Sequence, residues 1–300
     1  MRFFDLKKEF PFLVACPAIL WQVIFLIIPM AALFFVSVYD SSKKGFLGIF
    51  TLEHYKNLLI FPFMKAVFNS CFLASLTVIL CLLISFPVAN YISFRIGRFK
   101  TLALVLLMLP SWTNFIVRIY SWFFLLEKDG FLSTSLQYLG LLDQPHLLGN
   151  FVAVLIGMVY CYFPFMVIPI YSSLAGIGKN LIEAAADLGA TRFQTFKTVI
   201  FPLALPGIYA GSLLIFLSSI GEFAVPEILG GAKYAYWGNV VGDQLLALRD
   251  FKSGAALTFI GLIGAAMVAA LVFAVIKGIK AINFLYRRAF DVYFNVGLRK

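Results

Sequence analysis

Two ionisable residues, Arg118 and Glu222, stand inside long apolar runs. Each lies about 17 residues into its run, which at about 1.5 Å per helical residue places both toward the same, outer side of a bilayer. An ionised side chain near mid-membrane costs about 2.5–3.5 kcal/mol on insertion scales, so each needs a partner or water. Two chemistries are open. Arg118 and Glu222 could neutralise each other as an ion pair, or Glu222 could line a path for a cation, with Glu227 and Asp243 near its outer mouth. Trp112, Asn114, Tyr120, Trp122, Tyr160 and Tyr162 are further candidates for such a path. Aromatic faces attract alkylammonium groups, although membrane-interface belts use the same residue types. Asn69, Ser70, Ser218 and Ser219 suit interhelical hydrogen bonds equally well.

Catalytic chemistry is not encoded. Cys16, Cys71, Cys81 and Cys161 are scattered through apolar runs, and His54 and His146 stand alone in polar loops, so neither type builds a metal centre. Paired carboxylates at membrane depth, a nucleophile elbow, a Walker A loop and a dinucleotide fingerprint are all missing. The expectation is a chain that is not an enzyme, binds no cofactor or metal, and has no phosphate loop for ATP.

A second informative stretch runs from Asn180 to Pro202. Asn180 followed by Glu183 reads as a helix start, and Gly189 as the left-handed residue closing a helix over Leu181 to Leu188. Thr191 followed by Gln194 reads as a second capping box, opening a short helix that breaks at Pro202. Two short helices joined by a glycine elbow make a rigid docking surface.

The elements that position these residues must be membrane helices. Hydrophobic residues make up 62% of the chain and charged residues 13%, with mean hydropathy +0.96. In lipid the backbone must satisfy its own hydrogen bonds, and continuous aliphatic runs indicate helices rather than alternating barrel strands. The fold expected is all-α, with six transmembrane helices in one polytopic domain. Residues 1–65 hold a cytoplasmic stub, a first span at about 12–38 and an external loop. Residues 66–277 form a core with spans at about 66–92, 101–126, 150–174, 206–226 and 254–277 and a cytoplasmic loop at 179–205; residues 278–300 are a basic tail. The run from Phe10 to Tyr39 is too long for a signal-peptide core and reads as an uncleaved span. Fifteen Lys and Arg on one set of loops against eight on the other favour both termini inside the cell. The same orientation puts the Glu183 loop in the cytoplasm. The net charge of +10 is then a topology and lipid-headgroup signal, and no nucleic-acid partner is expected.

The Asn180–Pro202 loop resembles the EAA loop of binding-protein-dependent ABC importer permeases. Glu183, Ala184 and Ala185 match its tripeptide, Gly189 follows the glutamate by six residues, and Pro202 follows the glycine by thirteen. Asp187 lies within the same motif, while Val199 and Phe201 depart mildly from the usual Ile and Leu. The resemblance implies a type I importer permease fold and a loop that couples to an ATPase. Three further segments are similar to spermidine/putrescine permeases: Leu109 to Trp122, Tyr162 to Ser173, and Gly221 to Gly231. That likeness implies a bacterial inner-membrane complex of two homologous permeases, an ATPase dimer that binds ATP and magnesium, and an external polyamine-binding protein. It leaves open the preference between putrescine and spermidine, and a related permease for another small solute. From a different class, an ion-gradient-driven secondary transporter would have no use for the Glu183–Pro202 loop.

Overall fold

The computed structural model describes residues 16–40, 49–57, 61–140, 147–231, 233–271 and 273–274. The expected N-terminal stub, the basic tail and His146 lie outside them. The described chain is helical apart from one two-residue hairpin pairing Tyr39 with Phe50. Five described helices are long and apolar enough to cross a membrane, and one bent pair brings the number to six when it is counted as a single span. They are α1 (Cys16–Val38), α3 (Phe63–Phe94), α7 (Phe151–Ala175), α9 (Arg192–Ile220) and α12 (Phe251–Leu271). The shorter helices are α2 (Glu53–Asn57), α4 (Lys100–Met108), α5 (Phe115–Leu126), α6 (Phe131–Tyr138), α8 (Lys179–Asp187), α10 (Ala224–Gly230) and α11 (Trp237–Gly242).

The chain divides into two compact units, Met1–Phe63 with Val240–Leu262, and Met64–Asn239 with Ile263–Lys300. In the first, Ser37 and Tyr55 share a 2.8 Å hydroxyl contact and Phe34 meets Phe259 edge-on at 5.3 Å. Asp250 Oδ1 accepts from the Ser253 N–H at 3.1 Å, capping the start of α12, and the hydrogen bonding to Ser253 lowers its carboxyl pKa. Along α1, Trp21, Phe25, Leu26 and Ile27 are all more than half exposed. An apolar helix exposed in this way is stable only against lipid or another apolar chain.

The second unit is built around α7. Its Gly157 leaves room for Leu229 and Val225 of α10, and Gly230 of α10 returns the fit against Val154. From the other side, Gly207 and Gly211 of α9 lie against the Pro169 carbonyl and Met166 of α7. Small residues let the two backbones approach closely, the usual means of packing helices where lipid removes the hydrophobic drive. α3 adds hydrogen bonds from Ser85 Oγ to the Phe163 carbonyl at 3.3 Å and from Cys81 Sγ to the Val159 carbonyl at 3.7 Å. Met166, Ile170 and Leu174 fill one core with Ile208 and Ile215; Val154 and Met158 fill the other with Leu73, Ile119 and Leu229. Gly207→Val is therefore expected to destabilise by about 1–3 kcal/mol through overpacking against Pro169. The readout is membrane abundance of a tagged chain, which should fall. Wild-type abundance would show that α7 and α9 do not need this close approach.

Three expectations about the spans and their breaks need correction. The span drawn at 101–126 is not continuous: Gly97–Trp112 and Phe115–Ser135 meet at 87°. Pro110 starts a tight turn over Leu109–Trp112, and Asn114, extended with ψ 132, restarts the helix by accepting from the N–H groups of Ile116 (2.9 Å) and Val117 (3.4 Å). The span drawn at 206–226 begins at Arg192 instead and stops at Ile220, leaving α10 as a separate helix. Pro202 breaks nothing. It follows a π turn over Phe196–Ile200 and occupies the first turn of the next helical stretch, where a missing N–H is tolerated.

Candidate functional site

The Glu222 carboxylate sits where one helix ends and another begins. After Ile220, the residues Gly221, Glu222 and Phe223 leave the helical path before α10 starts at Ala224. Glu222 Oε1 accepts from the N–H groups of Ala224 at 2.9 Å and Val225 at 3.4 Å, caps to the first turn of α10. Its Oε2 accepts from the Tyr162 hydroxyl of α7 at 2.8 Å. All three donors are neutral, so the charge is held in place without being cancelled.

The return segment after α10 braces the break. A Cβ on Gly238 would lie 2.7 Å from the Gly221 carbonyl oxygen and 2.8 Å from that of Glu222, so the close approach requires glycine. The Trp237 N–H donates to Ser70 Oγ at 2.7 Å, and Asn69 Nδ2 donates to the Ala235 carbonyl at 3.1 Å, fixing the segment to α3. Ser70 thus bonds from α3 to the start of α11, and Asn69 bonds to the segment just before it. Glu227, in the first turn of α10, accepts from Asn239 Nδ2 at 2.7 Å.

Arg118 is buried at 9% exposure on α5, its guanidinium 5.4 Å from the Phe115 ring centroid and its Nε without a partner among the described residues. No ion pair between Arg118 and Glu222 forms among the described residues; the Glu222 oxygens are taken by Tyr162 and α10. Tyr160, 38% exposed, packs edge-on against Trp122 at 5.3 Å. Asn114 acts as a helix cap, and Trp112, 73% exposed, ends the tight turn over Leu109–Trp112. Asp243 opens a π turn in the other compact unit. Tyr162, Glu222 and Glu227 are thus gathered at one break, together with Asn239, which local spacing does not reveal because it reaches Glu227 from twelve residues away.

The second candidate surface is the elbow after α8. Its N-cap is Gly178, so Asn180 already lies in the helix and does not cap it. The other end is as expected: Gly189 has φ +80, its N–H donates to the Ala186 carbonyl at 2.9 Å, and the Ala190 N–H donates to that of Ala185 at 3.0 Å. This is a Schellman closure. The capping box follows at once, with the Gln194 N–H on Thr191 Oγ1 and the Thr191 N–H on Gln194 Oε1. Glu183, Ala184, Asp187 and Gly189 are exposed, and so are Leu188 (89%) and Phe193 (73%). An apolar pair flanking a rigid elbow on a polar loop has the composition of a protein-docking surface.

No family model matches the chain. Among curated proteins, it is 38% identical over 265 residues to the spermidine/putrescine transport system permease protein PotB of Haemophilus influenzae, covering 88% of this chain and 92% of that one. Against PotB of Escherichia coli the identity is 38% over 238 residues, covering 79% and 86%. The E. coli inner membrane ABC transporter permease protein YdcU is 36% identical over 203 residues, covering 63% and 64%. Among solved structures, a chain of a bacterial ABC transporter that imports the acidic polysaccharide alginate superposes with TM-score 0.69 at 18% identity, over 90% of this chain and 96% of that one. A chain of the MetNI methionine ABC transporter gives TM-score 0.54 at 17% identity, over 73% and 99%.

Proposed function

The chain belongs to the spermidine/putrescine permease family of ABC importers, and from that premise we propose that it carries polyamines through the inner membrane along a path that includes Glu222. As a permease of this class it works with an ATPase and an external binding protein; a second, homologous permease completes the pathway in this proposal. The observation that carries the substrate path is the state of Glu222: a carboxylate at a helix break, held by three neutral donors and paired with no cation among the described residues. Polyamines carry several positive charges at neutral pH, and a carboxylate of this kind replaces part of the hydration they lose. Tyr160, two residues before Tyr162 on α7, packs against Trp122 and adds aromatic surface to this reading.

Coupling runs through the elbow. In the cytoplasmic orientation that the basic residues favour, α8 enters a groove of the ATPase with Leu188 and Phe193 as its apolar anchors. α9 begins in the capping box beside that elbow and ends at the Glu222 break, so one helix joins the docking surface to the substrate path. ATP-driven closure of the partner then moves both ends together, and the cavity alternates between outside and inside.

Purification of the tagged chain from its native membrane, followed by reconstitution of the whole assembly with its binding protein, tests the proposal. ATP-dependent accumulation of labelled putrescine or spermidine is expected, with the ATPase co-purifying. Uptake that ignores ATP and collapses with an ion gradient would overturn it.

A further inference from the structure

Asn239 reaches the Glu222 break from the return segment, and its hydrogen bonding is one-sided. Its Nδ2 donates to Glu227 Oε2 at 2.7 Å and to the Phe223 carbonyl at 3.2 Å, while its Oδ1 is buried with no partner among the described residues. Two acceptors on one amide nitrogen fix its orientation, because the flipped amide would set oxygen against oxygen. A residue selected only for packing would not strand a buried carbonyl. The neighbouring Gly238, which admits no Cβ, delivers Asn239 to this position.

We propose that Asn239 is the positioning residue of the substrate path's outer carboxylate: through a neutral donor it ties Glu227 to the backbone of the segment that carries Glu222. The inference rests on the polyamine reading above and extends it to the question of how charge is counted. A lysine or arginine here would hold Glu227 as firmly but neutralise it, and an aspartate would repel it. Asparagine grips the carboxylate and leaves its charge free. With Glu222 held by Tyr162 and the α10 backbone, two uncancelled carboxylates stand on one short stretch of chain, which favours a substrate with more than one ammonium group.

The test uses the reconstituted complex with saturating binding protein, measuring spermidine uptake relative to wild type at about pH 5.5 and about pH 8. Asn239→Asp preserves shape but sets two carboxylates against each other, so the pair retains a shared proton at low pH and loses it as pH rises. When the proton is present, an O–H again donates to a carboxylate as the Asn239 amide did. Uptake is expected to fall about tenfold at pH 8, the scale of one lost hydrogen bond to a charged group, and to return toward wild type at pH 5.5. Glu222 and Tyr162, the other ionisable groups at the break, are unchanged in every variant. In a Glu227→Gln background, Asn239→Asp should have no further effect at either pH. A loss that is independent of pH, or that adds to that of Glu227→Gln, would overturn the proposal in favour of simple bracing. If Glu227→Gln itself transports normally, the proposal falls while the polyamine reading stands; if the wild-type complex takes up no polyamine, the polyamine reading falls first. Should Asn239→Asp fail to accumulate, Asn239→Ser in the same two backgrounds supplies the additivity comparison.

Discussion

Gly189→Val is expected to cut ATP-driven uptake by about a hundredfold, the scale on which a misplaced contact slows a concerted step, while the protein accumulates normally in the membrane. Gly189 closes α8 at φ +80, a region that a β-branched side chain avoids strongly. No atom lies within 4 Å of the position its Cβ would occupy, so the harm comes from backbone conformation and not from crowding. The Schellman bonds to Ala185 and Ala186 would open, and the angle between α8 and the capping box would change. Asparagine tolerates the left-handed region, and Gly189→Asn should therefore keep a substantial part of the uptake. Gly207→Val is the counterpart, lowering abundance where Gly189→Val lowers activity. Normal uptake by the Gly189→Val variant, with the ATPase still associated, would sink the coupling assignment.

Glu222→Gln is expected to lower polyamine uptake by at least about tenfold with little change in abundance, because only the charge is removed. A glutamine oxygen still accepts from the N–H groups of Ala224 and Val225, and its amide nitrogen can donate to the Tyr162 oxygen. The rival reading, an ion pair with Arg118, makes the opposite forecast. Removing one partner of a buried pair costs about 3–5 kcal/mol, so abundance would fall and Arg118→Gln would restore it. Since Arg118 lies over Phe115 without a direct bond to Glu222, the double variant should remain as inactive as Glu222→Gln alone. Recovery of both abundance and uptake in the double variant would end the cation-path role of Glu222.

Local signals in the sequence carried far, and their limits were physical. Gly189 and the Thr191–Gln194 box were legible because caps are written within four residues of where they act. The break in the span at 101–126 was not, since hydropathy averages over Pro110 and Asn114 and sees one apolar run. Pro202 misled for a related reason: proline stops a helix interior but suits a first turn, and the π turn that makes it a first turn has no sequence signature. Charge at membrane depth pointed to Glu222, yet its geometry depends on Tyr162 from another helix. Asn239 was invisible because it gains its meaning only when the return segment folds back on the break.

The 29 residues of α9 run from Arg192 to Ile220 without leaving the helical path, passing through the π turn at Phe196–Ile200. At about 1.5 Å per residue the rod is about 43 Å long. Fixed at the capping box by Thr191 and released at Gly221 by a residue without a side chain, it behaves as a lever whose far end is the Glu222 hinge. A tilt of about 5° at the end beside the elbow displaces the other by about 4 Å, roughly the width of a methylene chain. In the coupling proposed above, that mechanical gain turns a small rotation outside the bilayer into an opening or closing of the substrate path.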